Sequence, residues 1–241
     1  MITIFYRSFG KILLSQSTAD LAAFKLEDVV WIDLFSPSGD EKRATESFLN
    51  TEIQSRAQAE EIESSSRFSE TDTAIFANTN FLIPGPEEYA MEAVSFTLVG
   101  NVLTTLRDVP LRSFTELQRK IQAVPRLFPN GYWVFVNIMD QRVDLDADMI
   151  ELMSKEIAQY SKRINQQEDI NEDFLLDINQ LQDNTMLVRE NIVDKQRLIS
   201  NMMKSDKYPS ELEPRFNVLL QDISSLINHS NFSFERLEYL Q

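Results

Sequence analysis

Cysteine is missing from this chain, and only one histidine, His229, is present. Together these exclude disulfides, thiolate metal centres, cysteine nucleophiles and any histidine cluster for zinc. Glycine is scarce, five residues in 241. No G-x-G-x-x-G or G-x-x-x-x-G-K-[ST] phosphate loop can be found, and so glycine-poor a chain favours long helices over turns and barrels. Long apolar runs are absent too: nowhere do 18 apolar residues follow one another, so no segment of this sequence reads as a membrane span. The start, "MITIFYRSFGKILLSQ", lacks the basic and apolar regions of a signal peptide. Positive charge is in deficit, with 23 Lys+Arg against 38 Asp+Glu and a net charge of −15. Such a surface repels nucleic acid, so no nucleic-acid partner is expected. It reads either as ordinary solvation or as a set of carboxylates that meet divalent cations.

What remains divides into two halves, 1–130 and 131–241. The first is mixed. "ITIFY", "VVWIDLF", "TAIFANTNFLI", "AVSFTLV" and "NVLTTLR" are β-branched or aromatic runs of strand length. Gly100-Asn101 separates the last two as a two-residue hairpin signal. Helical stretches lie between the strands. "SPSGDEKRATESFL" offers Ser36 or Ser38 as N-cap, with Asp40 and Glu41 suited to the positive helix end. "SFTELQRKIQAV" begins with Ser113 and Glu116 at capping-box spacing. This half predicts an α/β/α domain with a mixed sheet.

The second half predicts long antiparallel helices in a coiled-coil-like funnel or stalk. Phe174, Ile178, Leu181, Thr185, Val188, Ile192, Lys195, Ile199 and Met202 advance in steps of four and three; so do Leu212, Phe216, Leu219, Ile223, Leu226, Ser230, Ser233, Leu237 and Leu240. Pro209 and Pro214 mark the turn between them. Each helix would run roughly 45 to 50 Å, longer than a small domain is wide, so a single chain is expected to bury these stripes poorly. Ser230 and Ser233, with Asn228 and His229 beside them, either set register at a seam or face neighbours or water. Asp140, Asp144 and Asp148 share one helix face, where a cation or a basic neighbour would relieve their repulsion and water would equally solvate them. "DLDAD" lacks the glycine and the terminal glutamate of an EF-hand loop.

The order of pieces resembles the cytoplasmic part of the CorA family of divalent-cation transporters. "WIDLFSPSGDEKRATESFLN", "EEIESSSRF", "TAIFANTNFL", "AVSFTLVGNVLTTLRD" and "GYWVFVNIMDQRVD", then two long helices, follow one another across nearly the whole chain. Trp31-Ile32-Asp33 matches the family's strand opening, Ala59 to Ile62 its acidic step, and Leu103 to Asp108 its hairpin closing. Arg67 alone keeps the Gln-Arg-Pro pattern. The two membrane helices and the Gly-Met-Asn signature between them do not occur in this sequence, and "LEYLQ" closes it in mid-helix with no stop signal. The resemblance therefore implies a chain that would continue into the first membrane span, on the cytoplasmic side of the cell membrane. The piece in hand is expected to be soluble, and monomeric or weakly associated.

By resemblance the full-length protein is a homopentamer, not an enzyme, in which regulatory Mg²⁺ between neighbouring cytoplasmic domains holds a pore closed. Glu60 and Glu61 match the family's acidic pair, and Asp140 matches an aspartate in the helix after Tyr132-Trp133. The third partner has no clean counterpart. Asn217 or Phe216 falls near its place, and Asp222 is the nearest carboxylate. The expected metal ligands are thus Glu60, Glu61, Asp140 and Asp222. Transported Mg²⁺, Co²⁺, Ni²⁺ or exported Zn²⁺ are not distinguished. The rival expectations are a coiled-coil interaction module whose stripes bind partner helices, and a metal-dependent hydrolase. The hydrolase is disfavoured because no base, nucleophile or phosphate loop accompanies the carboxylates.

Overall fold

The structure is a computed structural model that describes residues 1–54, 67–85, 89–166 and 171–240. Seven strands form one mixed sheet in the order β2-β1-β3-β7-β6-β5-β4. They are β1 (Ile2–Ser8), β2 (Lys11–Ser15), β3 (Val29–Phe35), β4 (Phe68–Glu70), β5 (Ala74–Ile83), β6 (Ala90–Val99) and β7 (Val102–Arg107). Only β3 and β7 pair in parallel. That register sets Asp33 beside Thr105 and Phe35 beside Arg107. The five strands expected from β-branched runs are all present, and Gly100 turns the β6–β7 hairpin at φ +56°. β2 and β4 were not expected. Both are short strands at the two edges of the sheet, where periodicity carries little signal.

One face of the sheet is covered by α1 (Gly39–Leu49) and a 3₁₀ segment, which close a core of Ile2, Ile4, Ile32, Leu34, Leu49 and Leu106. Ser38 rather than Ser36 caps α1, in a complete capping box with Glu41. The opposite face carries α2 (Arg112–Ala123), α3 (Gly131–Gln166), α4 (Glu172–Met202) and α5 (Glu213–Leu240). The expected capping box at Ser113 does not form. α2 begins two residues earlier, after Leu111, so Ser113 is buried inside the first turn and Glu116 pairs with Arg112 instead. The result is the α/β/α arrangement with long C-terminal helices.

The helices and the sheet share one core. Phe135 of α3 meets Phe96 of β6 edge to face at 5.2 Å, while Phe5 stacks on Trp31 at 4.7 Å. Gly131 opens α3 where no larger residue fits: its amide donates to Asn101 O at 2.7 Å, and a Cβ would lie 2.2 Å from the Leu103 nitrogen. The two heptad stripes close within the chain, contrary to the expectation that a monomer would bury them poorly. Every member of the α4 stripe is buried, Thr185 and Lys195 included. α3 supplies the missing partner surface with Met149, Ile150, Met153 and Ile157, a stripe not singled out in the sequence. Ser230 and Ser233 belong to this seam, Ser233 lying 3.3 Å from Ser154 Oγ, whereas Asn228 and His229 face outward.

Candidate cation-binding face and the buried ion network

α3 brings Asp140, Asp144 and Asp148 onto one side, as their four-residue spacing requires. Asp140 is half-buried, and the other two are exposed. α5 crosses α3 so that Asp222 comes within electrostatic reach of Asp140 and Asp144. Burial pushes the Asp140 carboxyl above its usual range; Arg215 and Lys120 pull it back, while Asp144 and Asp222 push it further up. Asp144 is raised as well, by residual desolvation first and then by Asp148 and Asp222. Two expected ligands, Asp140 and Asp222, therefore share one face. Glu60 and Glu61 lie outside the described residues.

The donor set suits a hard cation in kind, since carboxylate oxygens are what Mg²⁺ accepts. In number it is short: among the described residues no group of three acidic or histidine side chains converges enough to chelate a metal. Asp140 and Asp222 thus suit an ion that keeps most of its water, which is the usual habit of Mg²⁺.

Two buried ion pairs matter more to the architecture than that face, and sequence reading missed both. At the carboxyl ends of β3 and β7, Arg107 grips Asp33 bidentately, Nε at 3.2 Å and Nη2 at 2.8 Å. Thr105 Oγ1 donates to the same carboxylate at 2.9 Å and accepts from Trp31 Nε1 at 3.0 Å. Gln118 of α2 donates to it at 3.0 Å. The Arg107 guanidinium also lies over the Phe35 and Phe114 rings. The "WID" and "LTTLRD" stretches are therefore two halves of one polar knot, which fastens α2 to the parallel strand pair.

The second network ties α3 to α4 and both to β5. Arg142 bonds Asp146 one turn on through two nitrogens and donates to Leu82 O at 2.8 Å. Lys195 Nζ lies 3.5 Å from Asp146, donates to Asn80 O at 3.1 Å and bonds the Asn191 side chain. Asp146 and Lys195 are both 0% exposed. Burial pulls the Lys195 ammonium down to about 8, against the attraction of Asp146. Beside it Arg67 meets Asp194 at 2.5 Å. A lysine within an apolar stripe was the available signal, because a buried ammonium demands an anion nearby.

A three-layer α/β/α sandwich with three long C-terminal helices defines a fold shared with solved CorA and ZntB domains. The soluble domain of CorA from Methanocaldococcus jannaschii superposes with a TM-score of 0.78 at 14% identity, covering 100% of this chain and 94% of that one. The ZntB cytoplasmic domain from Vibrio parahaemolyticus gives 0.72 at 16% identity, covering 99% and 94%. At such identities the likeness concerns the fold. The family itself is shown by sequence: a family model described as "CorA-like Mg2+ transporter protein" matches residues 27–241, and the chain belongs to that family. Among curated relatives, the magnesium transport protein CorA of Wolinella succinogenes is 29% identical over 246 residues, spanning 100% of this chain and 77% of that protein. Its counterpart in Campylobacter jejuni strain RM1221 is 30% identical over 226 residues, spanning 89% and 69%. No helix among the described residues is long and apolar enough to cross a membrane.

Proposed function

We propose that this chain is the cytoplasmic, Mg²⁺-sensing part of a divalent-cation transporter. Residues 1–130 form its α/β unit and 131–241 the helices that carry the signal to a pore. The curated relatives named as magnesium transport proteins support Mg²⁺ as the ion. In this reading five copies assemble with α3 and α5 at the subunit boundary. Asp140 and Asp222, with Glu60 and Glu61, hold hydrated Mg²⁺ between neighbours. Cation loss leaves like charges facing each other and loosens the ring.

The carrying observation is that Asp222 of α5 raises the proton affinity of Asp140 and Asp144 on α3, with Asp144 adding to the effect on Asp140. Such mutual repulsion is relieved by a bound cation, and a site at ten times its dissociation constant adds about 1.4 kcal/mol. The reading of a free coiled-coil module loses its footing, because both stripes that would bind partner helices are closed inside the chain.

The test is light scattering on a sizing column at about 10 mM Mg²⁺ and then in EDTA, a bracket set by weak carboxylate affinities. Melting curves of the wild type, Asp140→Asn and Asp222→Asn accompany it. Asp140→Asn is expected to melt higher than wild type in EDTA, since it removes a desolvated, repelled charge, and to lose most of the Mg²⁺-induced gain. An unchanged Mg²⁺ gain in both variants would remove these residues from the site.

A further inference from the structure

We propose that the cavity between α4 and the β5–β6 strands binds a small phosphorylated anion, with Arg189 and Arg197 as its free cationic contacts and Arg67 at its edge. The cavity measures about 550 Å³, within the range of small-molecule sites and well above what a lone ion fills. Arg189, Val193 and Arg197 recur every four residues along α4 and so present one line of side chains to it.

These two arginines differ from those held in ion pairs. The chain carries 38 acidic side chains against 23 basic ones, and Arg43, Arg67, Arg107, Arg112 and Arg142 each have a carboxylate partner. Arg189 and Arg197 have none in ion-pair range among the described residues; Arg189 donates only to the Asn231 amide at 2.5 Å, and Glu190 is the one cavity carboxylate not matched by a guanidinium. Asp194 is neutralised by Arg67, with Thr79 Oγ1 at 3.4 Å. The Nε–H of Arg67 is buried without an acceptor among the described residues, a donor still to be satisfied beside the cavity.

The floor is rigid and polar. Asn191 Nδ2 donates to Asn80 O at 2.8 Å, and Lys195 donates to the same oxygen from below. That oxygen is thereby occupied, and among the described residues the Asn80 side-chain amide has only the Met91 sulfur at 3.8 Å. A free amide next to a half-exposed thioether suits the organic part of a ligand, whose phosphoryl oxygens the guanidinium forks would take in pairs. A nucleoside di- or triphosphate meets these requirements, and inorganic pyrophosphate meets the charged ones alone. Neither Asp140 nor Asp222 lines this site, which does not depend on their role.

The experiment is titration calorimetry of the chain in EDTA-containing buffer with pyrophosphate, ATP and adenosine. Pyrophosphate and ATP are expected to bind, ATP more tightly, and adenosine to give no heat. Arg189→Gln and Arg197→Gln should each weaken binding by about tenfold or more, as loss of a charge-assisted hydrogen bond does. Arg43→Gln, whose arginine pairs with Asp40 far away on α1, should leave it unchanged. The substituted side chains are exposed, so circular dichroism and an unaltered Mg²⁺ melting response establish that the variants are folded. No binding of pyrophosphate or ATP at about 5 mM, beyond the weakest useful affinity, overturns the proposal. So does ATP binding that survives the double substitution.

Discussion

Replacing Asp146 by asparagine keeps the volume of the side chain and removes the anion in ion-pair range of two buried cations, Arg142 and Lys195. Asp146 is bonded to Arg142, 4% exposed at its side chain, and lies 3.5 Å from Lys195, which is fully buried. After the change both cations retain only neutral acceptors, namely Leu82 O, Asn80 O and the Asn191 side chain. Breaking a buried pair from one side costs about 3 to 5 kcal/mol. Lys195 can shed its proton, since its affinity is already down near 8, which trims the penalty toward the lower end; Arg142 has no such escape. A domain stable by about 5 to 15 kcal/mol would lose about a fifth or more of that. At about 2 to 4 °C per kcal/mol for this size, Tm should drop by roughly 6 to 20 °C. Urea unfolding at pH 7, followed by circular dichroism, measures the loss. Adding Lys195→Met should return at least about 1 kcal/mol, because one of the two stranded cations disappears. A single-variant loss below about 1 kcal/mol at unchanged m-value, or strict additivity in the double variant, would show that the network is solvated and that this account of it is wrong.

Other outcomes follow from the same structure. Lys195 has a lower proton affinity folded than unfolded, so the unfolded chain holds more protons between about pH 8 and 10.5. Stability should therefore rise with pH over that window, and Lys195→Met should remove this contribution. Tyr132 acts in the opposite sense: burial raises it to about 12, so its contribution declines as pH climbs above 10. Gly131→Ala places a methyl 2.2 Å from the Leu103 nitrogen; it should cost about 3 kcal/mol or more, read as a lowered urea midpoint, because backbone rather than a side-chain tip must move. Ser38→Ala should cost about 1 kcal/mol, since Ser38 and Glu41 each bond the other's backbone amide.

Local chemistry was legible before any coordinates. The β-branched runs became β1, β3, β5, β6 and β7, and the four-three spacing from Phe174 to Met202 became the buried face of α4. These features report on neighbours close in sequence, where a period of two or of 3.6 sets which side faces inward. The family resemblance was legible for a similar reason, since it rests on the order of short motifs. The pairing of distant pieces was not. Nothing in "WIDLF" or in "TTLRD" states that their strands run parallel side by side, yet that register alone brings Arg107 to Asp33 across 74 residues. Lys195 stood in an apolar stripe as an anomaly, and its anion came from a different helix.

Composition, periodicity and turn chemistry thus set the elements and their inward faces, because each depends on the few residues around it. Which elements touch, and so which charges share a low-dielectric space, depends on closing long loops into one topology. That closure placed Asp222 within reach of Asp140, put Asp146 under Lys195, and left Arg189 and Arg197 lining a cavity.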